Sequence, residues 1–154
     1  MITIFVDSNA LNFEPISLTR PVFDIRYGSL TLYERLKELS KYKITAFYVR
    51  DSLKELAKKK HLNSLLSYED ASNKVWLNGS VVWTKDLIDK VISSKKSVFV
   101  TEGNLVGLNL LNDDSAIIDL IKDFSIEKIP EGVMVHDLKV EKINYLWDIL
   151  NNIK

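Results

Sequence analysis

Hydrophobic and polar positions repeat with two different periods along the chain, and each change of period marks an element. Ile2-Thr3-Ile4-Phe5-Val6 is a short, β-branched run that stops at Asp7, as a buried strand would. Residues 8–29 hold Pro15, Pro21 and Gly28 and read mainly as loop. A loop of that length in a compact domain more often serves function than mere connection. Leu32, Leu36 and Leu39 then recur at helical spacing beside Tyr33, which predicts a helix over residues 30–39. Thr31, with Glu34 three residues on, has the pattern of a capping box.

A second strand is predicted over residues 43–49. Asp51 or Ser52 then caps a helix to about residue 60, with Leu53, Leu56 and Ala57 on one face. The run Lys58-Lys59-Lys60 falls at its C-terminal end, where cations suit the helix dipole. Residues 61–72 are less regular, with room for a short helical turn. Val75-Trp76-Leu77 reads as a third strand, broken by Asn78-Gly79. Thr84 caps a helix over residues 85–93 with a stripe of Leu87, Ile88, Val91 and Ile92. Strands over residues 97–101 and 105–111 flank Glu102-Gly103-Asn104, a hairpin signal. Asp113 or Asp114 caps a further helix to about residue 123, and Pro130-Glu131-Gly132 is a turn. The closing segment, with Leu138, Ile143, Leu146, Trp147 and Leu150, is expected to be mostly helical.

Strand and helix alternate through the first half, which argues for an α/β layer around a mostly parallel sheet, mixed at an edge near residue 103. No repeat or linker breaks the chain, so residues 1–154 are read as a single domain. Ligands of such sheets collect beyond the carboxyl ends of the strands. Asp7, Arg50-Asp51 and Asn78-Gly79-Ser80 are all predicted to fall there.

Composition narrows the functional classes. Lysine plus arginine equals aspartate plus glutamate, 21 against 21, which removes any global electrostatic case for nucleic acid. Without cysteine there are no disulfides and no thiolate metal sites. The N-terminus has no basic region before its short apolar run, and no run approaches the ~18 residues of a membrane span. A cytoplasmic protein without membrane contact is expected. Gly-x-Ser-x-Gly, His-Glu-x-x-His and P-loop patterns are absent. His61 and His136 lie far apart in sequence and read as packing or surface residues. Asp113-Asp114 suits a helix cap better than a cation site. Among the tryptophans, Trp83 is the candidate for stacking on a base or sugar; Trp76 and Trp147 read as core or interface.

The densest chemistry lies in residues 17–35, where Arg20, Arg26 and Arg35 interrupt an otherwise largely apolar stretch. A guanidinium fork matches phosphate geometry and stays charged at any biological pH. Pro21 restricts Arg20 to extended backbone, and Gly28 permits positive φ or a close approach. The helix that follows offers free N–H groups to an anion. These residues suit a phosphate or nucleotide cradle. From the residues alone a pinned surface loop, with Arg20 and Arg26 paired to Asp24 or Glu14, is the simpler reading.

The same stretch resembles a family. Pro15-Ile16-Ser17-Leu18-Thr19-Arg20-Pro21, followed by Arg26-Tyr27-Gly28-Ser29-Leu30-Thr31, is similar to the N-terminal domain of sugar nucleotidyltransferases. The branch is that of the bifunctional N-acetylglucosamine-1-phosphate uridylyltransferase and glucosamine-1-phosphate acetyltransferase. Ile4-Phe5-Val6-Asp7, Val75-Trp76-Leu77-Asn78-Gly79-Ser80 and Leu146-Trp147-Asp148-Ile149-Leu150 resemble further landmarks of that branch, in order.

The resemblance implies a Rossmann-like nucleotide-diphospho-sugar transferase fold, a mixed, mostly parallel sheet with helices on both faces. It also implies a reaction in which a sugar 1-phosphate attacks the α-phosphate of a nucleoside triphosphate and pyrophosphate leaves. Such chemistry rests on charge neutralisation and in-line positioning, with Mg²⁺ bridging phosphates. Carried over, Arg20 is the leading phosphate contact and, with Arg26, the candidate catalytic residue. Asp7, Thr19, Gly28, Asn78, Gly79 and Trp83 are the candidate substrate-binding residues.

Departures from the family pattern bear on activity. Asp7-Ser8-Asn9-Ala10-Leu11-Asn12 stands where the superfamily has a glycine-rich loop. Ser80 stands where a metal-binding aspartate is usual, and a hydroxyl is a poor ligand for Mg²⁺. No metal ligand is assigned from the sequence. The hexapeptide β-helix with acyltransferase activity that relatives carry is missing from these residues. A reduced, non-catalytic relative acting as a binding or assembly module, as a homo-oligomer or beside a separate β-helix partner, is therefore the alternative expectation.

Overall fold

The structure is a computed structural model and describes residues 2–61, 75–110 and 114–151. Strands β1 (Ile2–Phe5), β4 (Ile44–Tyr48), β5 (Val75–Asn78), β7 (Ser97–Thr101), β8 (Asn104–Asn109) and β9 (Met134–Asp137) form one sheet. Their order is β4-β1-β5-β8-β7-β9. Two short ribbons accompany it: β2 (Arg26–Tyr27) with β3 (Leu30–Thr31), and β6 (Val81–Val82) with β10 (Glu141–Lys142). The helices are α1 (Leu32–Leu39), α2 (Asp51–Lys60), α3 (Lys85–Ser93), α4 (Asp114–Lys122) and α5 (Leu146–Asn151).

Neighbouring residues along each strand point to opposite faces, and the two faces build two cores. Ile2, Ile4, Val75, Leu77 and Phe99 pack with Leu36 of α1, Leu53 of α2, Ile88 of α3 and Ile149 of α5. On the other face Phe5, Tyr48, Trp76, Val98 and Leu108 pack with Ile117 and Leu120 of α4. The result is an α/β domain with a mixed sheet covered on both faces. Among the described residues no helix is long and apolar enough to cross a membrane.

β1 runs parallel to both β4 and β5, and β9 parallel to β7. β8 is antiparallel to β5 on one side and to β7 on the other. The mixed part of the sheet is therefore interior, not at the edge expected from sequence. The cause is the two-residue turn Glu102-Gly103, both with positive φ (47° and 77°), which returns the chain directly beside β7. The closing segment also departs from the helical expectation. Leu138 and Ile143 are buried, yet they follow strands β9 and β10, and helix begins only at Leu146. Leu138 and Lys142 are buried and Val140 half-buried, with Lys139 and Glu141 exposed, a two-residue alternation rather than one face of a helix.

Caps follow sequence at two helices. Thr31 Oγ1 accepts from Glu34 N at 3.1 Å while Glu34 returns a bond to Thr31 N at 2.8 Å. Thr84 Oγ1 accepts from Leu87 N at 3.4 Å. At α2 the cap position is Arg50, without a side-chain cap bond, and Asp51 is already helical. The expected helical turn within residues 61–72 lies, apart from His61, outside the described residues, as does Asp113.

Candidate functional site

Chain order reverses at β1, which lies between β4 and β5. The crevice beyond the carboxyl ends of β1 and β5 is thus the switch point where such sheets bind ligands. Asp7 and Asn78 meet there, Asn78 Nδ2 donating to Asp7 Oδ2 at 2.8 Å. Asp7 Oδ1 accepts from Asn9 N at 3.1 Å. The remaining Asn78 atoms are also satisfied: Nδ2 donates to Leu105 O at 2.9 Å, and Oδ1 accepts from Ser80 N and Oγ at 2.9 and 2.7 Å. Asn78, fully buried, therefore clamps β1, β5 and β8 together and holds Asp7 in place.

Gly79 continues the clamp. Its N–H donates to Phe5 O at 2.8 Å. A Cβ there would stand 2.9 Å from Phe23 Cδ1 and 3.0 Å from Ile4 Cγ2, so only glycine lets residues 8–25 fold back over the strand ends. That segment is a chain of short 3-10 turns, Ser8–Phe13, Ile16–Leu18 and Val22–Asp24, anchored by buried Phe13, Val22, Phe23 and Ile25.

Sequence reasoning missed Lys142. β10 pairs antiparallel with β6, and Ile143 N donates to Ser80 O at 2.8 Å, so the ribbon carries Lys142 to the crevice. Its side chain is 3% exposed, Nζ lies 3.7 Å from Asp7 Oδ2 and donates to Asn144 Oδ1 at 3.1 Å. Burial holds the ammonium below the usual lysine range, and the Asp7 carboxylate opposes that shift only in part. A sequence signal existed: Lys142 takes the inward position after Leu138 and Val140, where an apolar residue is expected.

The arginines divide. Arg20 is exposed on the crest of the loop between anchored Ser17 and Val22, and its side chain has no hydrogen bond or ion pair among the described residues. Thr19 beside it turns its hydroxyl inward to Ile16 O at 3.1 Å. Arg26 is exposed too, but its Nη1 donates to Ser29 O at 3.0 Å and closes the β2–β3 turn, where Gly28 takes φ 74°. Arg35 donates to Tyr27 O at 3.3 Å and lies 5.1 Å over the Tyr27 ring. Tyr27 in turn donates to Glu141 Oε1 at 2.7 Å, so this hairpin braces the strand that carries Lys142. Burial, then the bond and charge of Glu141, push the Tyr27 phenol up to about 12. Neither Asp24 nor Glu14 pairs with Arg20 or Arg26. Asp24, 2% exposed, is held by His61 Nε2 at 3.0 Å and Lys60 Nζ at 3.4 Å, and His61 packs among Phe23, Tyr33 and Phe47.

Trp83 is not the stacking platform expected. It is 4% exposed, and its Nε1 donates to Asn78 O at 3.0 Å, beneath the crevice. Trp76 is core, whereas Trp147 is 57% exposed and stacks on Tyr145 at 4.5 Å.

On the β4 side of Asp7 the crevice opens into a cleft of 390 Å³, walled by Val6, Ala10, Tyr48, Arg50, Ile121 and Lys122. Arg50 Nη2 donates to Ser17 O, and Arg50 Nε is buried without a partner. Among the described residues no three acidic or histidine side chains are grouped to hold a metal. At the crevice Asp7 brings a carboxylate already bonded on both oxygens, and the Ser80 hydroxyl is spent on Asn78. This donor set does not fit a protein-held Mg²⁺.

Strand order and the crevice at the switch point define a Rossmann-like α/β domain. Comparison with known proteins agrees at the level of fold. A Bacillus anthracis protein assigned as a glucose-1-phosphate thymidylyltransferase, crystallised with sucrose, superposes with a TM-score of 0.52 at 9% identity. The match covers 99% of this chain and 94% of the other. CTP:phosphocholine cytidylyltransferase of Streptococcus pneumoniae gives a TM-score of 0.52 at 11% identity over 97% and 96% of the two chains. Among curated proteins none matches the sequence. Residues 2–154 match the sugar nucleotidyl transferase family, and the chain belongs to that family.

Proposed function

We propose that this chain binds a nucleoside triphosphate or nucleotide sugar across the carboxyl ends of β1 and β5, with Lys142 as the cation that meets phosphate. The observation that carries the reading is Lys142 itself, a buried ammonium at the switch point whose one carboxylate neighbour among the described residues is 3.7 Å away. A desolvated cation with incomplete compensation gains most from an arriving anion. The cleft beside Asp7 takes the nucleoside, and Arg20, unpaired on the loop above, is the second phosphate contact. In the resemblance to the bifunctional uridylyltransferase branch, the partner substrate is a sugar 1-phosphate and the product pyrophosphate. Lys142 and Arg20 then offset the charge that builds on the phosphates as the bond to the leaving group breaks. Any Mg²⁺ would arrive on those phosphates, and no step is routed through it. Residues 1–154 act as one domain in this reading.

A second reading, a module that binds nucleotide without turning it over, is favoured by one observation. Ser80 donates its hydroxyl to Asn78, so β5 ends without the carboxylate that would hold a metal. Isothermal titration of the chain with UTP and then dTTP, with and without Mg²⁺, tests both readings. Binding followed by pyrophosphate release supports the transferase, and binding without release supports the module. A folded sample that binds neither nucleotide refutes both.

A further inference from the structure

Arg50 lies between β4 and α2 and walls the cleft on the β4 side of Asp7. Its guanidinium is held in place. Nη2 donates to Ser17 O of the loop over residues 8–25, and Nε is buried without a partner. Nη1 has no partner among the described residues, and unlike Nε it is not sealed from solvent. It is the open donor of a fixed fork, and a guanidinium has no acceptor to offer. The other polar groups of the wall supply no fixed acceptor. Both Asp7 oxygens already accept, from Asn9 N and Asn78 Nδ2. Asp51 has its side chain 92% exposed and pairs with Lys54 at 2.6 Å. Lys122 is exposed and, like Arg50, can only donate. Ser8 is exposed too, and its hydroxyl turns to either role. Much of the remaining wall is apolar, with Val6, Ala10 and Ile121. A flat, largely apolar ring suits such a cleft, and the acceptor for Arg50 has to come from the ring's own edge.

We propose that Arg50 selects the base of the nucleotide: it admits a pyrimidine with a carbonyl at C4, as in uracil and thymine, and rejects one with an amino group there, as in cytosine. The inference rests on the proposed function, which places the nucleoside in this cleft. With uracil or thymine, the C4 oxygen accepts from Nη1. With cytosine, two donors face one another, and each gives up water without gaining a partner. Such a mismatch is read far more strongly than a difference in size, because the polar group of the site stays unsatisfied. The bond to Ser17 sharpens the choice, since the guanidinium cannot turn away from the wrong base without giving that bond up. Arg50 is thus a specificity residue. It acts on the edge of the base, while Lys142 and Arg20 act on the phosphates.

Isothermal titration of the full chain with UTP and with CTP tests the proposal. The two carry the same ribose and the same phosphates, so the comparison isolates the base. UTP should bind at least about tenfold more tightly than CTP. Arg50→Met keeps an unbranched apolar chain on the wall and removes the donor, and should bring the two affinities within about threefold of each other. Loss of the Ser17 bond alone would instead weaken both nucleotides by the same factor and leave their ratio standing. Arg50→Gln, which can present an oxygen as well as an N–H, should erase the preference likewise and serves should the methionine variant fail to fold. A wild type that binds CTP as tightly as UTP, or a preference that survives both substitutions, overturns the role of Arg50 while the placement of the nucleotide stands. A folded chain that binds neither nucleotide overturns that placement, and the role of Arg50 with it.

Discussion

Lys142→Met separates a stabilising residue from a binding one. At 3.7 Å the attraction between Lys142 and Asp7 is about 4 kcal/mol at an effective dielectric of about 20. Burying an ion costs several kcal/mol, and here the ammonium keeps only the Asn144 oxygen besides Asp7. The lowered pKa of Lys142 gives the sign of the balance: the protein favours the uncharged form relative to water. Methionine fills much of the same volume without a charge. Asp7 is not orphaned, because Asn9 N and Asn78 Nδ2 still donate to it. The variant should therefore gain about 1 kcal/mol at neutral pH, or about 2–4 °C in melting temperature for a domain of this size. The pH dependence carries the same sign. A lysine whose folded pKa is depressed binds fewer protons folded than unfolded between that pKa and 10.5. The wild type should then recover stability as pH rises through this window, and the gain from methionine should shrink. Nucleotide affinity, measured by isothermal titration, should fall at least tenfold. A variant that melts lower refutes the electrostatic balance, and one that binds nucleotide as tightly as wild type refutes the placement of phosphate.

Three further outcomes are expected. Gly79→Ala should cost about 2–3 kcal/mol in urea denaturation, since its Cβ would press on Phe23 and Ile4, both locked in the core. Asp24→Ala should cost about 1–3 kcal/mol, because the bonds from His61 Nε2 to the buried carboxylate are lost while half-exposed Lys60 turns to water; a loss below about 0.5 kcal/mol would contradict the anchoring of the loop through α2. Arg20→Ala should leave stability within about 0.5 kcal/mol yet reduce nucleotide binding; unchanged affinity would remove Arg20 from the site.

Elements that announce themselves by local chemistry were legible in the sequence. The capping box of Thr31 and Glu34, the cap at Thr84 and the turn at Glu102-Gly103 all depend on residues within a few positions of each other. What failed depended on pairing across the chain. The Glu102-Gly103 hairpin was visible, but its place in the middle of the sheet comes from β8 lying antiparallel to β5, some thirty residues earlier. Residues 138–143 misled for a different reason. Leu138 follows β9 and Ile143 follows β10, and the inward alternation of 138, 140 and 142 is hidden in the sequence because its last member is a lysine.

The candidate site follows the same division, with a consequence for how its arginines are read. Asp7, Asn78 and Gly79 could be placed at the switch point from sequence because each lies at the end of a strand of the predicted parallel layer, where such layers bind ligands. Lys142 was not, because its strand belongs to the layer only through the two-residue ribbon with β6. Arg26 was a candidate catalytic residue, yet it and Arg35 both spend guanidinium donors on backbone carbonyls of the hairpin that braces Glu141. Their charges sit on the support of the cation rather than beside it. The Thr19-Arg20-Pro21 and Arg26-x-Gly28 halves of the motif thus have separate physical roles. The first leaves an exposed arginine that has no hydrogen bond or ion pair among the described residues, and the second steadies the strand that carries Lys142. Loss of Arg26 should consequently act through the position of Lys142 and loss of Arg20 through the ligand itself, so the two should differ in whether the Tyr27–Glu141 contact survives.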